Sequence, residues 1–127
     1  MQDTQAFAPL YKRTSTSGST VTPGTLATSV TVAATNAAAT ASGQIPGCCP
    51  SDSTQIQIAN TTTSWAFVNF GVLRLTVTAA TVAASYPVAP GAVVVVTVDP
   101  EVDAASVILG TAPGALTSVI FTRGAGI

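Results

Sequence analysis

Gln55-Ile56-Gln57-Ile58-Ala59-Asn60-Thr61-Thr62-Thr63-Ser64-Trp65-Ala66-Phe67-Val68-Asn69-Phe70-Gly71 reads as strand, turn, strand. Ile56 and Ile58 alternate with Gln55 and Gln57, the period-2 pattern of a half-buried strand. Asn60 to Thr63 forms a polar turn, in which Asn60 bonds the nearby backbone or takes a left-handed conformation. The returning strand places Ala66, Val68 and Phe70 on one side and Trp65 and Phe67 on the other. A strand apolar on both faces is either central and covered twice, or has an outer face that meets another molecule. The first expectation is therefore a central hairpin.

Working outward, the Pro-Gly pair recurs at 23–24, 46–47, 90–91 and 113–114. Proline presets the second turn position and glycine supplies φ > 0 at the third. Val30 and Val32 face inward from a strand that precedes an alanine-rich loop or brief helical turn at 35–41. Leu73, Leu75 and Val77 alternate with Arg74, Thr76 and Thr78, as in a one-sided strand. Ala92 to Val98 is apolar on both faces and reads as a buried strand. Residues 105–110 and 116–122 are the last two strands, and a glycine-rich tail follows from Arg123. The expected fold class is all-β: an antiparallel β-sandwich or jelly roll with an extended N-terminal arm. Residues 1–20 form that arm, with Phe7, Leu10 and Tyr11 as docking anchors ahead of a Ser/Thr linker at 14–20. Residues 21–127 form one domain.

Composition narrows the function. The chain has 127 residues, of which 47% are apolar and only 7% charged. A typical soluble domain carries roughly 25% charged residues. So little charge leaves a free monomer a weak solubility margin and implies a surface covered by other protein. The basic residues Lys12, Arg13, Arg74 and Arg123 form no cluster, so no nucleic-acid partner is expected. The apolar runs are too short for a membrane helix, and no membrane partner is expected. The first residues lack a secretory pattern, which implies synthesis in a cytoplasm.

Chemistry is scarce. The chain has no histidine, which removes His-based triads, Cys–His nucleophiles and His metal sites. Cys48 and Cys49 are adjacent and are expected as reduced thiols in a loop, ahead of a bond to another subunit or a vicinal bridge. Asp99, Glu101 and Asp103 have alternate spacing that could offer oxygens to calcium, but the full calcium-loop pattern is absent and a solvated turn is expected. Trp65 is expected at the core or a subunit contact, with sugar stacking as the other reading. No catalytic residue, cofactor or metal is expected; the protein is not read as an enzyme.

Four segments in order carry a resemblance: Ile58-Ala59-Asn60, then 66–71 (Ala-Phe-Val-Asn-Phe-Gly), then 86–91 (Tyr-Pro-Val-Ala-Pro-Gly), then Val119-Ile120-Phe121-Thr122-Arg123-Gly124-Ala125-Gly126. This order resembles small virion proteins of tailed bacteriophages, and it does not extend to residues 1–50. The resemblance implies a β-sandwich that decorates a capsid: a cement protein on the outer surface of the virion. Its partners would be the major capsid protein and itself, as a dimer or trimer. Phe7, Leu10 and Tyr11 are the first expected contacts, with Trp65 and Phe67 as a subunit interface. The alternatives are another virion component (head fibre base, head–tail connector or tail protein) and a carbohydrate- or receptor-binding module.

Overall fold

The β-branched runs form strands, and every pairing between them is antiparallel. The computed structural model describes residues 29–45, 54–73, 75 and 77–124, together with the backbone of 8–9 and 125. Its strands are β1 (Ala8–Pro9), β2 (Ser29–Ala33), β3 (Thr40–Ala41), β4 (Gln55–Asn60), β5 (Ala66–Gly71), β6 (Tyr86–Val88), β7 (Val93–Thr97), β8 (Ala104–Leu109) and β9 (Ser118–Ala125). No helix occurs among the described residues.

The strands build two sheets. In the first, β9 lies beside β4 and β4 beside β7, while β2 and β1 share the other edge of β9. The second has the order β3-β8-β5-β6. One rule generates both orders. Strands pair as β2·β9, β3·β8, β4·β7 and β5·β6, so the chain is one long antiparallel ribbon with its tip at the β5–β6 connection. Rolling that ribbon sends alternate pairs to alternate sheets and brings β9 beside β4 and β8 beside β5. This is the connectivity of a jelly roll.

The core lies between the sheets. The first contributes Val32, Ile56, Ile58, Val119 and Phe121, and the second Ala66, Val68, Val88, Ala105, Val107 and Leu109. Ala34 and Ile45 close it from the connections. Phe70 and Phe121 meet edge to face across the sandwich, with centroids 6.1 Å apart. The inward rows of the first sheet end in polar residues. Asn60, opposite Val119, lies at one end, and Arg123, opposite Ile56, lies fully buried at the other. Burial lowers the pKa of the Arg123 guanidinium from its ordinary value, while the nearby charge of Asp103 raises it.

Several expectations need correction. The 55–71 segment is not a hairpin, because β4 and β5 belong to different sheets. Asn60 and Thr61 are held to the first sheet while Trp65 is already bonded to Gly110 of the second, so residues 61–65 arch across the core. The described residues of 72–78 form no strand. Leu73 N–H donates to the Asp103 carboxylate and Leu75 N–H to Val72 C=O, so turn bonds use donors that a ladder would need. Ala92–Val98 is not buried: among the described residues β7 pairs with β4 alone, at the end of the sheet order, and none of its residues is buried. Arg123 to Ala125 belong to β9 rather than to a tail. The Pro90-Gly91 turn forms as expected, with Gly91 at φ +71° and Ala92 N–H donating to Ala89 C=O.

Candidate partner-binding surface

The outer face of the second sheet is built by the side chains that β5, β6 and β8 turn away from the core. In one row, Phe67 has Pro87 on one side and Ile108 on the other. In the next, Asn69 lies opposite Ser106. The two rows meet different fates. Asn69 Nδ2 donates to Ala79 C=O (3.3 Å), and Ser106 Oγ accepts from Ala80 N–H (3.0 Å). Val77 packs over Gly71, where an added Cβ would sit 3.1 Å from its methyls. Residues 77–80 therefore strap the lower half of the face, with Ser106 buried beneath the strap and Ala80 buried within it.

The upper row stays open. Phe67 and Ile108 are half-buried, Pro87 is exposed and Trp65 is 51% exposed. The Phe67 ring lies against Gly110, where a Cβ would come within 3.2 Å of Cε2. The reading that put Trp65 and Phe67 on the side of β5 away from Ala66, Val68 and Phe70 agrees with this geometry. Of the other expected contacts, Phe7, Leu10 and Tyr11 lie outside the described residues, as do Cys48 and Cys49. Ala8 and Pro9, from the segment read as an arm, pair with Ala125 and Gly124 of β9.

The open row adjoins one end of the sandwich. The connections 34–39, 61–65, 89–92 and 110–117 gather there, tied by Ala34 N–H to Thr117 C=O, Thr61 N–H to Ser118 C=O, Asn60 N–H to Ala92 C=O and Gly110 N–H to Trp65 C=O. None of these connections contains a charged residue. Leu116, 57% exposed, stands at this end with Trp65. The described charges sit at the other end, on Asp99, Glu101, Asp103 and Arg123. There Val102 N–H closes a turn on Asp99 C=O, and the Asp103 carboxylate is engaged by Leu73 N–H at 2.8 Å. No group of three candidate metal ligands occurs among the described residues.

Further exposed apolar residues were not foreseen. Leu75, Val82 and Tyr86 all lie in or beside the β5–β6 connection. Leu75 was assigned inward by its alternation, and only the loss of the strand turns it outward. With Leu73 they place four exposed large apolar side chains in or beside that connection, while Val93 of β7 is exposed on the first sheet. Among the described residues, no helix is long and apolar enough to cross a membrane. Comparison with protein-family models, with curated proteins and with solved structures finds no match in any of the three.

Proposed function

We propose that this protein is a capsid decoration protein that binds the outer surface of a virion shell and stabilises the contacts of the major capsid protein. The observation that carries the reading is the uncharged end of the sandwich with Trp65 exposed beside the Phe67–Pro87–Ile108 row. A surface of this kind contributes affinity through aromatic burial and loses little by desolvating polar charge. The resemblance of residues 58–60, 66–71, 86–91 and 119–126 to virion proteins of tailed bacteriophages supports the same reading. The jelly roll is compatible with it and, being shared by shell and lectin domains alike, does not decide it. A decoration protein bound in many copies would stabilise the shell by linkage, because it favours the assembled state.

The deciding experiment is the copy number of this chain in purified particles, relative to the major shell protein. A simple ratio to the shell subunits is expected. A handful of copies would move the protein to a connector, fibre base or tail, and absence from particles would leave the carbohydrate-binding reading at Trp65 to be tested. Within the decoration reading, Trp65→Ser is expected to weaken particle binding by about 30-fold, corresponding to a hot-spot loss of about 2 kcal/mol. Because Trp65 is exposed, the thermal stability of the isolated variant should change by less than about 0.5 kcal/mol. Unchanged binding, measured by co-sedimentation with stripped shells, would remove Trp65 from the interface.

A further inference from the structure

We propose that Asn60-Thr61-Thr62 is an N-glycosylation site of the unfolded chain alone, and that a glycan at Asn60 and the native fold exclude each other. This goes beyond the capsid reading and does not depend on it. The chain has asparagines at 36, 60 and 69, and only Asn60 opens the Asn-x-Ser/Thr pattern that accepts an N-linked glycan. Such acceptors ordinarily lie on surface loops. This one ends the inward row of β4, beyond Ile56 and Ile58 and opposite Val119.

Both groups that define the acceptor are sealed. Asn60 is 1% exposed and Thr62 3%. Asn60 Nδ2, the atom that would carry the sugar, donates to Ser64 C=O, Val88 C=O and Ala89 C=O at 2.9, 3.1 and 3.2 Å. The Thr62 hydroxyl donates to Asn60 Oδ1 and Ser64 C=O and accepts from Ser64 N–H. Thr61, between them, is pinned to Ser118 C=O by its N–H (3.2 Å) and its hydroxyl (2.6 Å). Nδ2 can be reached only when the arch opens.

The chemistry makes the exclusion mutual. In the transfer, Nδ2 bonds the anomeric carbon of an oligosaccharide carried on a lipid pyrophosphate. The anomeric carbon–oxygen bond breaks, the lipid pyrophosphate leaves with the electron pair, and one amide proton passes to a base of the transferase. The product keeps one N–H for three buried carbonyls and drives a sugar into space that the packed core already fills. The seal also forms late. Val88 and Ala89 lie 28 and 29 residues beyond Asn60, and Ser118 lies 57 beyond Thr61. Until those residues emerge during synthesis, the acceptor stands open in an unfolded segment. A chain that meets the transferase as it is made is therefore modified before it can protect itself.

The test has two arms, both on the full chain. In the first, the purified folded protein is incubated with solubilised oligosaccharyltransferase and its lipid-linked donor, and no glycan is expected. In the second, the chain is translated behind a cleavable secretory leader into microsomes, with and without a competing acceptor peptide. Without the competitor, chains should gain one glycan, removable by peptide N-glycosidase, and protease should digest every glycosylated chain once the microsomes are opened. With the competitor, the unmodified chains should resist the same protease. A glycan on the folded protein, protease resistance of glycosylated chains, or nascent chains that stay unmodified would each overturn the proposal. So would digestion of the unmodified chains in the presence of competitor, which would assign the misfolding to the compartment rather than to the glycan.

Discussion

Replacing Asn60 with alanine is expected to lower the unfolding free energy by about 3–5 kcal/mol, the largest effect of any single polar substitution in the described residues. Asn60 is 1% exposed. Its two amide hydrogens are shared among Ser64 C=O (2.9 Å), Val88 C=O (3.1 Å) and Ala89 C=O (3.2 Å). Its Oδ1 accepts from Thr62 N–H at 3.1 Å and from the Thr62 hydroxyl at 2.7 Å. The side chain thus joins the arch between the sheets to the start of the Pro90-Gly91 turn. Alanine would leave carbonyls and an amide buried without partners, each costing about 1–3 kcal/mol.

Thermal melting should report the loss as a fall of roughly 10–20 °C in Tm. A fall of only a degree or two would mean that water replaces the side chain and that the clamp is not a keystone. Asn60→Asp should be worse than alanine at neutral pH, since an ionised carboxylate would face carbonyls that need a donor. Its introduced carboxyl is expected to titrate above the ordinary carboxylate range. The penalty should therefore be full above that raised pKa and fade as pH falls toward the unfolded value near about 4, where the acid can donate. A penalty independent of pH would mean that the carboxyl reaches solvent.

The second large effect is expected at Phe121. It is fully buried on β9 and meets Phe70 of the opposite sheet at an interplanar angle of 83°. Most of the surrounding core is valine, alanine and isoleucine, so no neighbour is large enough to fill the space that Phe121→Ala would open. The expected loss is about 3–5 kcal/mol. Phe121→Leu, which keeps much of the volume, should lose considerably less. Chemical denaturation would check both, with the two sheets unfolding in one transition. Retention of wild-type stability by the alanine variant would contradict a core that hinges on this contact.

Much of this architecture could be read from local pattern. The alternation of Ile56 and Ile58, and the two faces of β5, follow from the period of a strand. So does the left-handed glycine of the Pro90-Gly91 turn. What local pattern does not contain is the identity of a strand's neighbours. Residues 55–71 look like a hairpin because the turn between them is short and polar; the same chemistry serves an arch between sheets. β7 looked central because valine on both faces is the mark of a covered strand, and nothing in five residues tells which sheet position they take. Leu73 and Leu75 keep a strand's alternation where the backbone has turned to bond Asp103, 30 residues away along the chain. At the candidate surface, Trp65 and Phe67 were found because strand periodicity fixes sides. Val82 and Tyr86 were missed because they come into view only once the β5–β6 connection is seen lying on the sheet.

The pairing of the chain's early and late strands bears on how the molecule is made. Ser29 Oγ and Thr122 Oγ1 meet at 2.8 Å across 93 residues of sequence. Among the described residues β2 pairs only with β9, so on a ribosome that pairing waits until β9 emerges, and the central pair β4·β9 must wait just as long. A nascent chain rich in alanine and valine, with little charge to keep copies apart, spends that interval with its strand edges open. Non-local topologies of this kind commonly fold in milliseconds to seconds, and such intermediates are prone to aggregate. Yield from expression should therefore rise at low temperature or with added chaperone more than native stability alone would predict, and loss of the last ten residues should abolish folding rather than merely weaken it.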